Sequence, residues 1–213
     1  MGTAVTGANT RSAVAKGRKK GINKIIKCIT LNAQSLTNKM DEFKLVVTDL
    51  KPQIISITES WGDECITDGI FALDGYTMYR NDRQEIKGGG TILYISNQID
   101  QRVCRPLNVH DFENSTWCWI VGKGGKKILV GSVYRSPNSS PENDVKLLEK
   151  IEKANEIAGE NRLLILGDFN VPKIDWENKE LQLGARRIER QVLDVVNDCF
   201  LHQHVTKPTR FLK

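Results

Sequence analysis

Several side chains suited to handling water or an anionic oxygen sit just past the ends of apolar runs. Asn32 follows Ile25–Leu31, and Glu59 follows the short run Ile54–Ile57. Asp168 and Asn170 come after Leu163–Leu166, while Tyr134 and Arg135 close Lys127–Tyr134. Buried strands of open α/β sheets aim their flanking loops at one edge, where ligands collect. Each residue also has an ordinary reading, as a turn asparagine, a helix cap or a solvated charge. It is the combination that points to chemistry. In Leu-Gly-Asp-Phe-Asn (166–170), Gly167 permits a tight turn. Asp168 and Asn170 are one residue apart, so in extended backbone they share a face. A carboxylate beside a carboxamide can orient an attacking water and hydrogen-bond a phosphoryl oxygen. The same pair also suits an Asx turn.

Other candidates carry less. Gly88-Gly89-Gly90 lacks the G-x-x-x-x-G-K-[ST] pattern and precedes a strand instead of opening a helix, so a tight turn is expected there. His202 and His204 would share a face if extended and are suitable metal ligands by type. A loop or short strand after the last helix is the simpler reading. His110 sits beside Asp111 in mid-chain.

The elements that must position these residues follow from apolar spacing. Met40, Phe43, Leu45, Val46, Val47 and Leu50 suit a helix stopped before Pro52, so the chain opens as strand, helix, strand. Strands are expected over Tyr76–Arg80, Thr91–Ser96, Thr116–Val121 and Lys127–Tyr134, the last two joined by a Gly122–Gly125 hairpin. A helix from Glu142 to Ala158 places Val145, Leu148, Ile151, Ala154 and Ile157 at helical spacing, with Gly159 at its end. Arg186–Phe200 reads as a last amphipathic helix with Ile188, Val192, Val195 and Val196 inward. The pattern is one α/β domain with mixed sheets over residues 24–213, preceded by a basic, unstructured arm at 1–23.

Composition narrows the class. With 213 residues, 39% hydrophobic and 27% charged, the chain can bury one sizeable core. No apolar run approaches the roughly 20 residues of a membrane span. The start lacks the charged and apolar regions of a secretory signal, and Met-Gly with Thr6 only formally meets the myristoylation pattern. Five scattered cysteines without a C-x-x-C pair imply reduced, mostly buried thiols in an intracellular protein. The formal charge of +5 belongs to the arm. Residues 1–40 hold eight Lys/Arg and no acid, and the remainder holds 23 basic against 26 acidic residues. Such an arm is either a solvated leader or a source of salt-sensitive attraction to phosphates. Its KGRKK is also a weak nuclear signal, so the expected location is nuclear.

Leu-Asn-Ala-Gln-Ser-Leu (31–36), Ile-Thr-Glu-Ser-Trp (57–61), the stretch from Arg80 to Ser96, Gly131–Ser140 and Leu164–Asn170 occur in a telling order. Their order and spacing resemble the endonuclease/exonuclease/phosphatase superfamily, most closely the endonuclease domain of non-LTR retrotransposons. VTKPTR (205–210) is similar to a segment such domains carry after their last long helix, so the resemblance covers about Lys24 to Arg210. It implies a four-layer α/β sandwich of two packed mixed sheets flanked by helices. It further implies a metal-dependent phosphodiester hydrolase acting on DNA, with Mg2+ or alternatively Mn2+ as cofactor, no other small-molecule cofactor and no membrane partner. Glu59 would hold the metal. Asn32 would position metal-site waters or the phosphate, and Tyr134 would bond a phosphate oxygen. Asp168 would activate water, and Asn170 would stabilise transition-state charge. Arg80 and Arg135 would touch the DNA backbone, unless they serve in ion pairs or packing. The family completes its site with a later aspartate and a Ser-Asp-His triplet, which does not occur in this sequence. The expectation is therefore a C-terminally truncated, impaired nuclease, or else a non-catalytic remnant that binds nucleic acid.

Overall fold

A computed structural model describes residues 26–83, 88–107, 112, 114–122 and 125–205. The proposed arm, His110 with Asp111, and all of VTKPTR beyond Val205 lie outside the described residues.

The chain opens as its apolar spacing predicts. Strand β1 (Cys28–Asn32), helix α1 (Met40–Leu50) and strand β2 (Ile54–Thr58) form a strand–helix–strand start in which β1 and β2 pair in parallel, Asn32 opposite Thr58. After a short helix α2 (Asp68–Phe71), strands β3 (Tyr76–Asn81) and β4 (Thr91–Ser96) add antiparallel neighbours, giving the order β1-β2-β4-β3. The second sheet consists of β5 (Asp100–Val103), β6 (Ser115–Val121), β7 (Lys127–Tyr134) and β8 (Arg162–Asp168), in that order. Its first three strands are antiparallel, and β7 and β8 run parallel, connected by helix α3 (Pro141–Ala158). A two-stranded ribbon, β9 (Ile174–Asp175) with β10 (Glu180–Leu181), precedes helix α4 (Arg187–Asp198).

The layers follow from which faces are apolar. Ile54, Leu93, Ile95, Cys118, Ile120 and Val130 fill the space between the two sheets. Phe43, Val47, Ile55, Ile57, Ile92 and Tyr94 join α1 to the outer face of the first sheet. Trp117, Leu129, Val133, Leu147, Ile151, Ile188 and Val192 join α3 and α4 to the outer face of the second. The result is helix, sheet, sheet, helix: a four-layer α/β sandwich with two mixed sheets. Two buried hydroxyl pairs, Ser56 with Ser132 and Thr91 with Thr116, each 2.7 Å apart, satisfy the polar side chains between the sheets. Gly131 makes room for Trp117, whose ring atom lies 2.3 Å from where a Cβ would be.

Some details depart from the apolar spacing. On α1, Met40, Phe43 and Val47 are buried, while Leu45 is 71% exposed. On α3 the inward face includes Leu147 and leaves Val145 outward. The last helix ends at Asp198, and Phe200, with φ 53°, is 94% exposed. The cysteines are free thiols; Cys104, Cys118 and Cys199 are buried, and burial pushes the Cys118 thiol up to about 12. Among the described residues no helix is long and apolar enough to cross a membrane.

Candidate active site

Two parallel strand pairs, one in each sheet, deliver the site. Parallel strands end on the same edge, so β1 and β2 bring Asn32 and Glu59 together, as β7 and β8 bring Tyr134 and Asp168. The sandwich sets these edges side by side. Asn32 Nδ2 donates to Glu59 Oε1 at 2.9 Å and to Asp168 Oδ2 at 3.3 Å, joining residues 136 apart in sequence. Tyr134 Oη donates to the same Glu59 Oε1 at 2.9 Å. Asp168 Oδ1 accepts from the Asn170 backbone N–H at 3.2 Å. All five expected residues thus meet in one place.

The backbone around them is shaped for the purpose. Gln34, Ser35, Glu59, Trp61 and Asn170 all have positive φ, between 44° and 75°. For residues with a Cβ this conformation costs on the order of 1–3 kcal/mol each and persists only where neighbours enforce it. The enforcing bonds are present: Ser35 N–H to Glu59 O, Leu36 N–H to Ser60 O, and Trp61 N–H to Gly89 O. Gly88, Gly89 and Gly90 form the expected turn into β4, and a Cβ on Gly90 would meet Ser60 Oγ at 2.6 Å. Gly167, at φ +142°, leaves a Cβ no place, since Val133 O would lie 1.8 Å from it.

Asp168 and Asn170 are anchored from behind. Arg135 N–H donates to Asp168 O at 2.8 Å, and Asn170 Nδ2 donates to Arg135 O at 2.8 Å. The Arg135 guanidinium forms a two-pronged pair with Asp144 of α3 (Nε–Oδ1 2.7 Å, Nη2–Oδ2 2.9 Å) and donates to Asn170 O. Arg186 also donates to Asn170 O, at 3.1 Å, while gripping the buried Glu189. Burial works against the Glu189 charge, but the Arg186 hydrogen bonds outweigh it and hold this carboxyl below its ordinary value.

Both candidate DNA-contacting arginines take the internal role. Arg135 is 2% exposed and committed to Asp144. The Arg80 guanidinium bonds Asp82, Asp68 and the carbonyls of Asp63 and Ile66, and lies 5.2 Å above the Phe71 ring. His202 and His204 follow α4 in irregular chain, edge to face at 5.1 Å. Among the described residues neither bonds any member of the site. Trp61 closes the Ile-Thr-Glu-Ser-Trp motif, whose sequence does not say what its indole bonds, and the positioning residues Asp144, Arg186 and Glu189 have no signal beyond their place at the start of a helix.

The electrostatics are acidic. Among the described residues neither Glu59 nor Asp168 has an ion-pair partner, so two carboxylates meet across one amide. Burial, and then the bond to Glu59 and the charges of Glu59 and Asp168, push the Tyr134 hydroxyl well above its usual range. It therefore remains an O–H donor. Among the described residues no three acidic, histidine or cysteine side chains gather as a metal cluster. Mg2+ does not need one, since it is commonly held by one or two carboxylates with retained waters and substrate phosphates. Paired hard oxygens of this kind fit such a cation.

Comparison with known proteins agrees with this fold. Residues 128–213 match the family model described as endonuclease-reverse transcriptase. The endonuclease domain of TRAS1, a telomere-specific non-LTR retrotransposon, superposes with TM-score 0.63 at 17% identity, over 81% of this chain and 71% of that one. An AP endonuclease from Leishmania major gives 0.63 at 14%, over 81% of this chain and 66% of that one. A 3′ phosphatase from Neisseria, bound to a product DNA hairpin, gives 0.56 at 16%, over 82% and 71%. No curated protein matches the chain in sequence. The chain therefore shares its fold with these nucleases and this phosphatase, and its residues 128–213 match the endonuclease-reverse transcriptase model.

Proposed function

We propose that the chain is a divalent-metal-dependent phosphodiester hydrolase of the retrotransposon endonuclease type, acting on DNA. The observation that carries this reading is the single amide of Asn32 bonded to both Glu59 and Asp168, which binds the two sheets' contributions into one acidic site. Glu59 would hold Mg2+ or Mn2+, with Asp168 opposite it to act on water. When bound, the ion supplies Lewis acidity toward a phosphoryl oxygen and the leaving oxygen.

The chain's own residues do the rest. Asp168, fixed by Asn170 N–H and Asn32, accepts a proton from a water aimed at phosphorus. As the water oxygen bonds to phosphorus, the opposite P–O bond breaks, and the departing oxygen takes up a proton from solvent. Asn170 presents an N–H to the phosphoryl oxygens that gain charge, and Tyr134 does so with its one O–H once that hydrogen turns from Glu59 Oε1 to the substrate. Asn170 has one amide hydrogen engaged by Arg135 O, and an amide carries two.

Nicking of supercoiled plasmid at high protein concentration with Mg2+ tests the proposal. Glu59→Ala and Asp168→Ala should each abolish nicking, and full activity in either refutes the assignment. The basic arm supports a second reading, a non-catalytic nucleic-acid binder. Salt-sensitive binding lost on deleting residues 1–23, with no cleavage at any metal concentration, would favour it.

A further inference from the structure

A cleft of about 740 Å³ opens beside the acidic site, lined by Gln34, Ser35, Asn38, Trp61, Asp63 and Arg83 among others. Its volume lies within the range of about 300–1,000 Å³ typical of small-molecule sites. Trp61 is the wall shared with the site, for its indole N–H donates to Glu59 Oε2 at 3.3 Å while the ring lines the cleft. The ring is held in place: Trp61 has φ 54°, and its backbone N–H is tied to Gly89 O at 3.1 Å. Gln34 and Asn38 are exposed carboxamides at the rim, each offering a donor pair and an acceptor.

Among the described residues the lining is close to neutral. Asp63 uses Oδ1 to cap its own turn, accepting from Cys65 and Ile66 N–H, and Arg83 is the cation that the described residues contribute. A strand of phosphates would call for a row of cations. A flat aromatic wall with amide edges suits an uncharged, planar, hydrogen-bonding ring instead. We infer that this cleft is a subsite for one unpaired nucleobase, stacked on Trp61 and read at its edge by Gln34 and Asn38, next to the phosphodiester held at Glu59. The inference rests on the hydrolase reading for what lies beside it, but base binding itself needs no catalysis.

The full chain is titrated in EDTA with a short fluorescein-labelled oligothymidylate and with its abasic counterpart, following anisotropy. The wild type should bind the oligothymidylate about tenfold more tightly than the abasic strand, the order of one stacked base. Trp61→Ala should bind both strands alike, and Trp61→Phe, which keeps a ring, should retain most of the discrimination. Gln34→Ala/Asn38→Ala, two exposed positions, should lower it severalfold. Equal discrimination by wild type and folded Trp61→Ala overturns the subsite. If Trp61→Ala does not fold, unchanged discrimination in Gln34→Ala/Asn38→Ala overturns it, and reduced discrimination supports it. Nicking that ignores Glu59 and Asp168 would sink the hydrolase reading while leaving the binding result intact.

Discussion

The two halves of the site use the same device, a parallel strand pair, yet they are buttressed differently. On the first sheet the loops after β1 and β2 are laced to each other and to the Gly88–Gly90 turn by backbone hydrogen bonds, with four side-chain-bearing residues held at positive φ. On the second sheet the loop after β8 leans on charge: Arg135 paired with Asp144 in the core, and Arg186 paired with Glu189 behind Asn170. Backbone lacing spreads its load over many modest bonds. A buried ion pair concentrates it, because losing one partner strands the other charge away from water. The second half should therefore be the more brittle.

The largest effect is expected from Gly167→Ala, since a Cβ 1.8 Å from Val133 O forces β7 and β8 apart. Loss of more than about 4 kcal/mol of unfolding free energy in urea, or failure to fold, is expected. Arg135→Ala should follow at about 3–5 kcal/mol, the usual result of breaking a buried pair. A loss below about 1 kcal/mol would remove the contrast between the halves.

Glu189→Gln sharpens the comparison through pH. A carboxyl held below its unfolded value contributes stability above about pH 4.3, and that contribution fades as pH falls through the depressed folded value. The variant should be less stable than wild type at neutral pH, with the gap closing in acid. A gap that stays constant down to pH 2 would show that Arg186 does not act on a charged Glu189. On the first sheet, Lys39 donates to the carbonyls of Ala33 and Gln34 from an exposed position. Lys39→Ala should cost only about 1 kcal/mol in the same urea titration.

Much of this was legible from the residues. Thr91–Ser96 and Lys127–Tyr134 form strands with the boundaries that apolar content suggests, because buried strands are apolar throughout and end where polarity returns. The meeting of Asn32, Glu59, Tyr134, Asp168 and Asn170 followed from their positions at strand ends and from the resemblance. What escaped were elements with little apolar content, such as β5 (Asp-Gln-Arg-Val) and the ribbon of β9 and β10, whose burial is set by neighbours. Pairings at long range escaped as well. Nothing in the types of Arg135 and Asp144 says that they face each other in a core, and Trp61 becomes a partner of Glu59 only through a left-handed turn.

In the proposed hydrolase both sheets supply one catalytic unit. Plasmid nicking by wild type, Glu59→Gln, Asp168→Asn and the double variant, each with Mg2+ and again in EDTA, tests it most directly. Residues acting as a unit are strongly non-additive. Metal-dependent nicking should fall to background in either single variant, with no further loss in the double. Single variants that each retain wild-type nicking would contradict the account.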